Sequence, residues 1–290
     1  MMIWIVFPVL ILMVFHLSVL LIFNYIINPY EPSFFTKIFP YFFLSNLVFS
    51  KRNLNKTHFS IRVDINTSRE NVERHNDGVL KLIKIANKHS IPVTFSISSE
   101  YLSVISKDVI ENIKKGGHEV ISHGSKHENI TSQDQADSIK ESKEKLEDRF
   151  EQKVIGLIGP QGKHNSKTLK AAKENNIKYI SSGSLSYLRY WSFPYPFKKK
   201  GIWLLGGSIK SDYQLYEKEN LGPKKALVIW KEALSFRSDK RWYTQLEYHN
   251  SSTSEEQLKV LKQLFRYIEN NDSIKPITQS DLVQEVESYV

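Results

Sequence analysis

The chain has 290 residues, a formal net charge of +9 and no cysteine. The missing thiols exclude a disulfide framework and a thiolate metal site, so any metal must be held by His, Asp, Glu or Asn. The positive charge lies mostly in lysines scattered over expected helix faces, with a cluster at Lys198-Lys199-Lys200. No nucleic-acid-binding motif accompanies it, which leaves solvated surfaces and attraction to an anionic membrane as its readings.

Residues 1–27 contain no Lys, Arg, Asp or Glu, and His16, Ser18 and Asn24 are their main polar members. That length spans a bilayer as a helix. A cleaved signal peptide would have a basic start, a shorter apolar run and a small-residue cleavage site. The expectation is a single transmembrane helix that anchors the protein in a membrane. Residues 28–56 follow as an aromatic linker with Phe34, Phe35, Phe39, Tyr41, Phe42 and Phe43. Lys37 and Pro40 interrupt it, so it reads as interfacial or re-entrant, with a second span as the alternative. Lys37, Lys51, Arg52 and Lys56 all follow the first span. The positive-inside tendency therefore leans toward a cytoplasmic domain, although long domains cross regardless of charge and the side stays open.

From residue 57 onward strands and helices alternate. Residues 59–64 alternate in polarity and are rich in β-branched residues, so they read as a strand that ends on Asp64. A helix over 70–89 places Val72, Val79, Leu82, Ile83 and Ala86 on one face. A strand over 91–97 and a helix over 107–115 follow, the helix stopping at Gly116-Gly117. Then come a strand over 119–122, a charged helix over 132–150 and a strand over 154–158. A helix over 166–175, capped by Asn165 or Ser166, leads to a strand over 178–182. Residues 183–200 read as a loop carrying Tyr187, Tyr190, Trp191, Phe193, Tyr195 and Phe197. These aromatics either pack over the end of the fold or form a platform for sugar rings or a lipid, with Trp191 as the candidate substrate contact. A strand over 202–205, a helix over 223–234, a strand over 242–248 and a helix over 254–269 complete the pattern. Repeated strand–helix units favour a parallel α/β sheet, either a (β/α) barrel or an open doubly wound sheet.

Three histidines, His118, His123 and His127, fall in one run, and the last two are four residues apart. One helical turn or a tight loop brings His123 and His127 to the same side, a metal-ligand spacing. Asp64 and His249 each end an apolar run elsewhere. Two imidazoles and one side-chain oxygen leave an open position on a divalent ion, the arrangement of a hydrolytic zinc site and not of a structural one.

From about residue 57 to its end the chain resembles the polysaccharide deacetylase family, carbohydrate esterase family 4. Arg62-Val63-Asp64-Ile65-Asn66 is similar to the branch in which one residue separates the two acidic positions of the first motif. The resemblance implies Asp64 as catalytic base and Asn66 where the metal-binding aspartate usually stands. Gly117-His118-Glu119, with His123 and His127 after it, matches the second motif, whose histidine pair binds the metal. Leu157-Ile158-Gly159-Pro160-Gln161-Gly162 is similar to the third motif. It implies substrate contact at Pro160 and Gly162, but Ile158 stands where the family has an arginine that orients the base. Leu246-Glu247-Tyr248-His249 resembles the last motif, a leucine-x-histidine strand end, with one extra residue; His249 would protonate the leaving amine.

The resemblance therefore implies a distorted (β/α) barrel and a divalent metal cofactor, zinc foremost. It implies hydrolysis of the N-acyl group of an amino sugar in a glycan or a lipid-linked saccharide. The acyl group is acetyl, or formyl in the lipid-linked branch. Three alternatives stay open. Asp64 itself binds the metal and the base is another group; the substrate is a non-sugar amide; or Asn66 and Ile158 mark a degenerate glycan- or lipid-binding module on the same fold.

Overall fold

The computed structural model describes residues 55–65, 71–127, 134–181, 196–239 and 241–288. The expected transmembrane helix, the aromatic linker up to residue 54, Asn66 and Trp191 lie outside them. Contacts divide the chain into Met1–Phe39 and Pro40–Val290, and every described residue belongs to the second unit. Among the described residues no helix is long and apolar enough to cross a membrane.

The first strand, β1 (Thr57–Ile65), is buried along its whole length. Its odd positions Phe59, Ile61, Val63 and Ile65 enter the main apolar core. Its even positions His58, Ser60, Arg62 and Asp64 are polar and equally buried. An alternating strand ordinarily wets its polar face. Here that face turns inward and its groups find partners, Arg62 with Asp64, Ser60 with Tyr243 and His58 with Glu285, because a buried polar group is costly without one.

β2 (Val93–Ile97), β3 (Glu119–Ser122), β4 (Gly156–Leu157), β5 (Tyr179–Ser181), β6 (Phe197–Lys199), β7 (Ile202–Leu205), β8 (Thr244–His249) and β9 (Ile274–Pro276) complete the strands. Among the described residues they form a nine-stranded sheet in the order β6-β7-β5-β4-β3-β2-β1-β8, with β9 also on β1. All pairings are parallel except β6 with β7. Ser208, just past β7, bridges Gln245 on β8. Gln245 N donates to Gly207 O at 3.0 Å and Ile209 N donates to Gln245 O at 2.9 Å. These bonds tie the β7 end of the path to β8. Gly207 has φ 83°, and a Cβ there would lie 2.7 Å from the Tyr243 carbonyl oxygen, so only glycine fits.

The helices are α1 (Val72–Lys88), α2 (Lys107–Lys115), α3 (Gln135–Phe150), α4 (Ser166–Glu174), α5 (Pro223–Asp239), α6 (Glu255–Glu269) and α7 (Gln279–Ser288). α1 buries Val79, Leu82, Ile83 and Ala86, as its spacing predicts, while Val72 is half-buried. α6 buries Leu258, Leu261, Leu264, Phe265 and Ile268, each contributing roughly 1.5–3 kcal/mol of apolar burial. Asn165 caps α4 in a reciprocal box with Thr168, and Ser254 caps α6 with Gln257.

Several expectations need correction. The strand over 154–158 shrinks to β4, because Val154 N donates to the Glu147 side chain instead of to a neighbouring strand. Part of the expected 183–200 loop is β6, and α5 runs to Asp239. β9 and α7 have no counterpart in the expected pattern. β9 is three residues long and ends on a proline, too short for a periodic signal. α7 has a weak apolar stripe and is held by a tertiary contact: Gln279 N and Ser280 N donate to Glu119 Oε2 at 3.0 and 3.2 Å. Leu282, Val283 and Val286 of α7 pack in one cluster with Ile121, Ile158, Tyr179, Trp203 and Leu205.

Candidate active site

Of the expected site residues that are described, Asp64, His123, Pro160, Gly162 and His249 lie at or just past the C-terminal ends of parallel strands, where α/β enzymes place their chemistry. Asp64 is next to last in β1 and pairs in register with His249, the last residue of β8. His123 follows β3, and the turn Pro160–Gly162 follows β4.

Arg62 stands two residues before Asp64 and so on the same strand face. Its Nε donates to Asp64 Oδ1 at 2.7 Å and its Nη2 to Oδ2 at 3.0 Å, a bidentate fork. Nη2 also meets Glu247 Oε2 at 2.8 Å, and Nη1 donates to Ser181 Oγ at 2.9 Å. Burial alone would push the Asp64 carboxyl up, but the Arg62 guanidinium overrides it and holds the group far below the usual carboxylate range. The loss of an arginine at Ile158 therefore leaves Asp64 neither free nor undirected. Ile158 is buried in apolar company, and the guanidinium comes from β1 itself.

His249 is set by Asp212, a fully buried aspartate absent from the expected site. Asp212 Oδ1 lies 2.7 Å from His249 Nδ1, and Oδ2 accepts the His249 backbone N–H at 2.9 Å. Burial disfavours the imidazolium, but Asp212, then Asp64 and Glu247, more than reverse this and raise its pKa to about 9. His249 is thus protonated at neutral pH. Asp212 is carried there by the segment after the β7–β8 bridge, two residues before the π-helical turn Gln214–Lys218, a form frequent at functional sites.

His123 is buried and its Nδ1 lies 3.0 Å from the Ile158 carbonyl oxygen. A carbonyl only accepts, so Nδ1 carries the hydrogen and Nε2 keeps its lone pair. Burial brings the His123 pKa down to about 4 against the pull of Asp64. The His127 ring centroid is 5.0 Å away, and burial lowers that pKa as well. Its backbone N–H is held by Glu100, from the 3-10 turn Ser99–Ser103. Two neutral imidazoles side by side, one with a carbonyl behind it, fit a divalent metal. A different trio, Asp64, Glu247 and His249, brings its ligand atoms within 4.8 Å of one another. Arg62 already bonds both Asp64 oxygens and one of Glu247, and His249 is cationic. That trio is a compensated ion-pair network and a poor dication site.

His118 stands apart, at the start of β3, where it accepts the Val93 N–H at 3.3 Å and sits edge-on to Phe95. It belongs to the scaffold. Pro160 is buried in its turn, and Gly162 has φ 69°. Of the residues missed, Arg62 and Glu247 had a signal: each is a charge two residues before a candidate group on an alternating strand. Asp212 had a weaker one, an isolated acid shortly after an apolar strand.

The polysaccharide deacetylase family model matches residues 51–180, which include Asp64, the histidine pair and the Pro160 turn. Over that stretch the chain is similar to the polysaccharide deacetylase family. No curated protein matches the chain significantly by sequence. Among solved structures, a polysaccharide-deacetylase-type protein from Mycobacterium smegmatis superposes with TM-score 0.67 at 19% identity, over 81% of this chain and 91% of that one. A polysaccharide-deacetylase-type protein from Pseudomonas aeruginosa PAO1 gives 0.67 at 13% identity, over 80% and 91%. A carbohydrate esterase family 4 pseudoenzyme from Bacillus anthracis gives 0.51 at 13% identity, over 79% and 66%. At such identities these neighbours speak for the deacetylase fold alone.

Proposed function

We propose that this domain is a metal-dependent deacylase that hydrolyses the N-acyl group of an amino sugar, held close to a membrane by residues 1–27. The observation that carries the reading is the opposed charge state of two neighbouring groups. Asp64 is kept anionic by Arg62 and His249 is kept cationic by Asp212. Paired titratable groups driven apart in this way mark a base and an acid.

His123 and His127 would hold the metal, with Asn66 or Asp64 as the oxygen ligand. The chemistry such an ion supplies when bound is Lewis-acid polarisation of the acyl carbonyl and activation of a water. Asp64 accepts the proton of the attacking water on a lone pair that Arg62 leaves unused. The fork fixes its direction and its charge, at the expense of basicity. His249 donates its Nε2 proton to the departing amine, while Asp212 keeps the ring oriented through Nδ1. Pro160, Gly162 and Trp191 are the proposed sugar contacts. The apolar 1–27 segment, the aromatics of 34–43 and the basic charge favour a lipid-linked or membrane-proximal sugar over free polymer.

The test uses full-length protein loaded with zinc, cobalt or no metal. Release of acetate or formate is followed from an N-acylated chitooligosaccharide and from an N-acylated lipid-linked sugar. Metal-dependent release, faster on the lipid-linked sugar, is expected. A protein that binds no stoichiometric metal and releases nothing supports the second reading, a non-catalytic glycan- or lipid-binding module. Asn66 in a carboxylate position and the pseudoenzyme among the neighbours favour that reading.

A further inference from the structure

Behind Asp64 the inward face of the sheet is a buried polar cluster. Ser181, Gln245 and Gln279 are all fully buried and hydrogen-bond one another. Arg62 Nη1 donates to Ser181 Oγ at 2.9 Å, and Gln279 Nε2 donates to the same oxygen at 3.1 Å. Gln279 Nε2 also donates to Gln245 Oε1 at 2.8 Å. The Ser181 hydroxyl hydrogen points at Gln245 Oε1, 3.3 Å away. Ser181 thus accepts twice and donates once, which fills its capacity. Gln279 opens α7, whose first turn is fastened to Glu119 at the start of β3.

We propose that Gln279 is a positioning residue for the site. Its amide turns the Ser181 lone pair toward Arg62 and so fixes the guanidinium that holds Asp64 and Glu247. The inference rests on the reading of Asp64 as a base. A serine hydroxyl hydrogen rotates to suit its surroundings. Without the Gln279 amide the Ser181 oxygen loses one of the two donors that seat it and Gln245 Oε1 loses a partner, so both side chains shift and the Arg62 Nη1 bond loosens. The fork tilts and carries the Asp64 carboxylate with it. A shift of about 1 Å at a reacting group costs on the order of 100-fold in rate. In this way a helix at the far end of the chain sets the aim of a carboxylate on the first strand.

The experiment compares full-length native protein with Gln279→Met, Ser181→Ala, their double variant, and Arg62→Lys. The first readout is the Arg62 Nε–H signal in 15N-labelled protein, assigned by its loss in Arg62→Lys. Gln279→Met and Ser181→Ala are each expected to speed its hydrogen exchange by about tenfold or more, as a buried bond loosens. The second readout is turnover of an N-acetylated chitooligosaccharide with zinc. Gln279→Met is expected to lower kcat by roughly 10- to 100-fold with KM unchanged. The double variant should lose little more than Ser181→Ala, since both act through one hydroxyl. An unchanged Arg62 signal in both single variants overturns the proposal, and so do additive losses or a kcat loss no larger than the fall in folded fraction. If native protein turns over no N-acylated sugar, the deacylase reading fails, and the exchange comparison still decides the positioning role.

Discussion

Replacing Asp212 by Asn removes one charge from the group that governs His249. Asp212 is fully buried and touches both the ring Nδ1 and the backbone N–H of His249. The native pKa of about 9 stands against an ordinary 6.5. At about 1.4 kcal/mol per unit, the imidazolium is favoured in the folded protein by about 3 kcal/mol. Because the folded pKa is the raised one, this stability is fully present below pH 6.5 and is lost as pH climbs through about 9. In Asp212→Asn the largest opponent of burial is gone, and His249 is expected to titrate about two units lower or more. Long-range 1H–15N spectra of the two rings read the pKa directly. Denaturant midpoints from pH 6 to 9.5 should slope downward in native protein and lie flat in the variant. A native His249 titrating near 6.5, or a variant still titrating near 9, refutes the reasoning.

Arg62→Met strands the buried Asp64 carboxylate beside the half-buried Glu247 and is expected to cost about 3–5 kcal/mol in urea unfolding. It should also flatten the loss of stability below about pH 4, because that loss belongs to an aspartate whose folded pKa is depressed. Full native stability in this variant would dismiss the ion-pair network as a structural element. His123→Ala with His127→Ala should abolish zinc binding by calorimetry while the circular dichroism of the fold persists; unchanged stoichiometry would exclude the pair as ligands. Asn66→Asp should tighten zinc binding by adding a charge to the site, and an equal or weaker affinity would place residue 66 outside the ligand set.

Much of the scaffold was legible along the chain because local rules govern it. The helical face of α1, the cap of α4 and the strands that carry Asp64 and Ser122 follow from periodicity and capping chemistry. His123 and His127 announce themselves by spacing, which any turn preserves. The partners of the catalytic candidates are another matter. Arg62 could be read as a solvated charge on an alternating strand until the strand proved buried on both faces. Ile158 stands where the resembled family has an arginine, and the guanidinium that meets Asp64 comes from β1. Asp212 lies 37 residues from His249, and nothing local links them. Gln279 reaches Ser181 across 98 residues. Periodicity reports which residues share a face of one element, and it decided most of the elements, while spacing marked the histidine pair. Which charges meet is a property of how the sheet curls and where its two ends are tied, and that the tertiary structure alone decided.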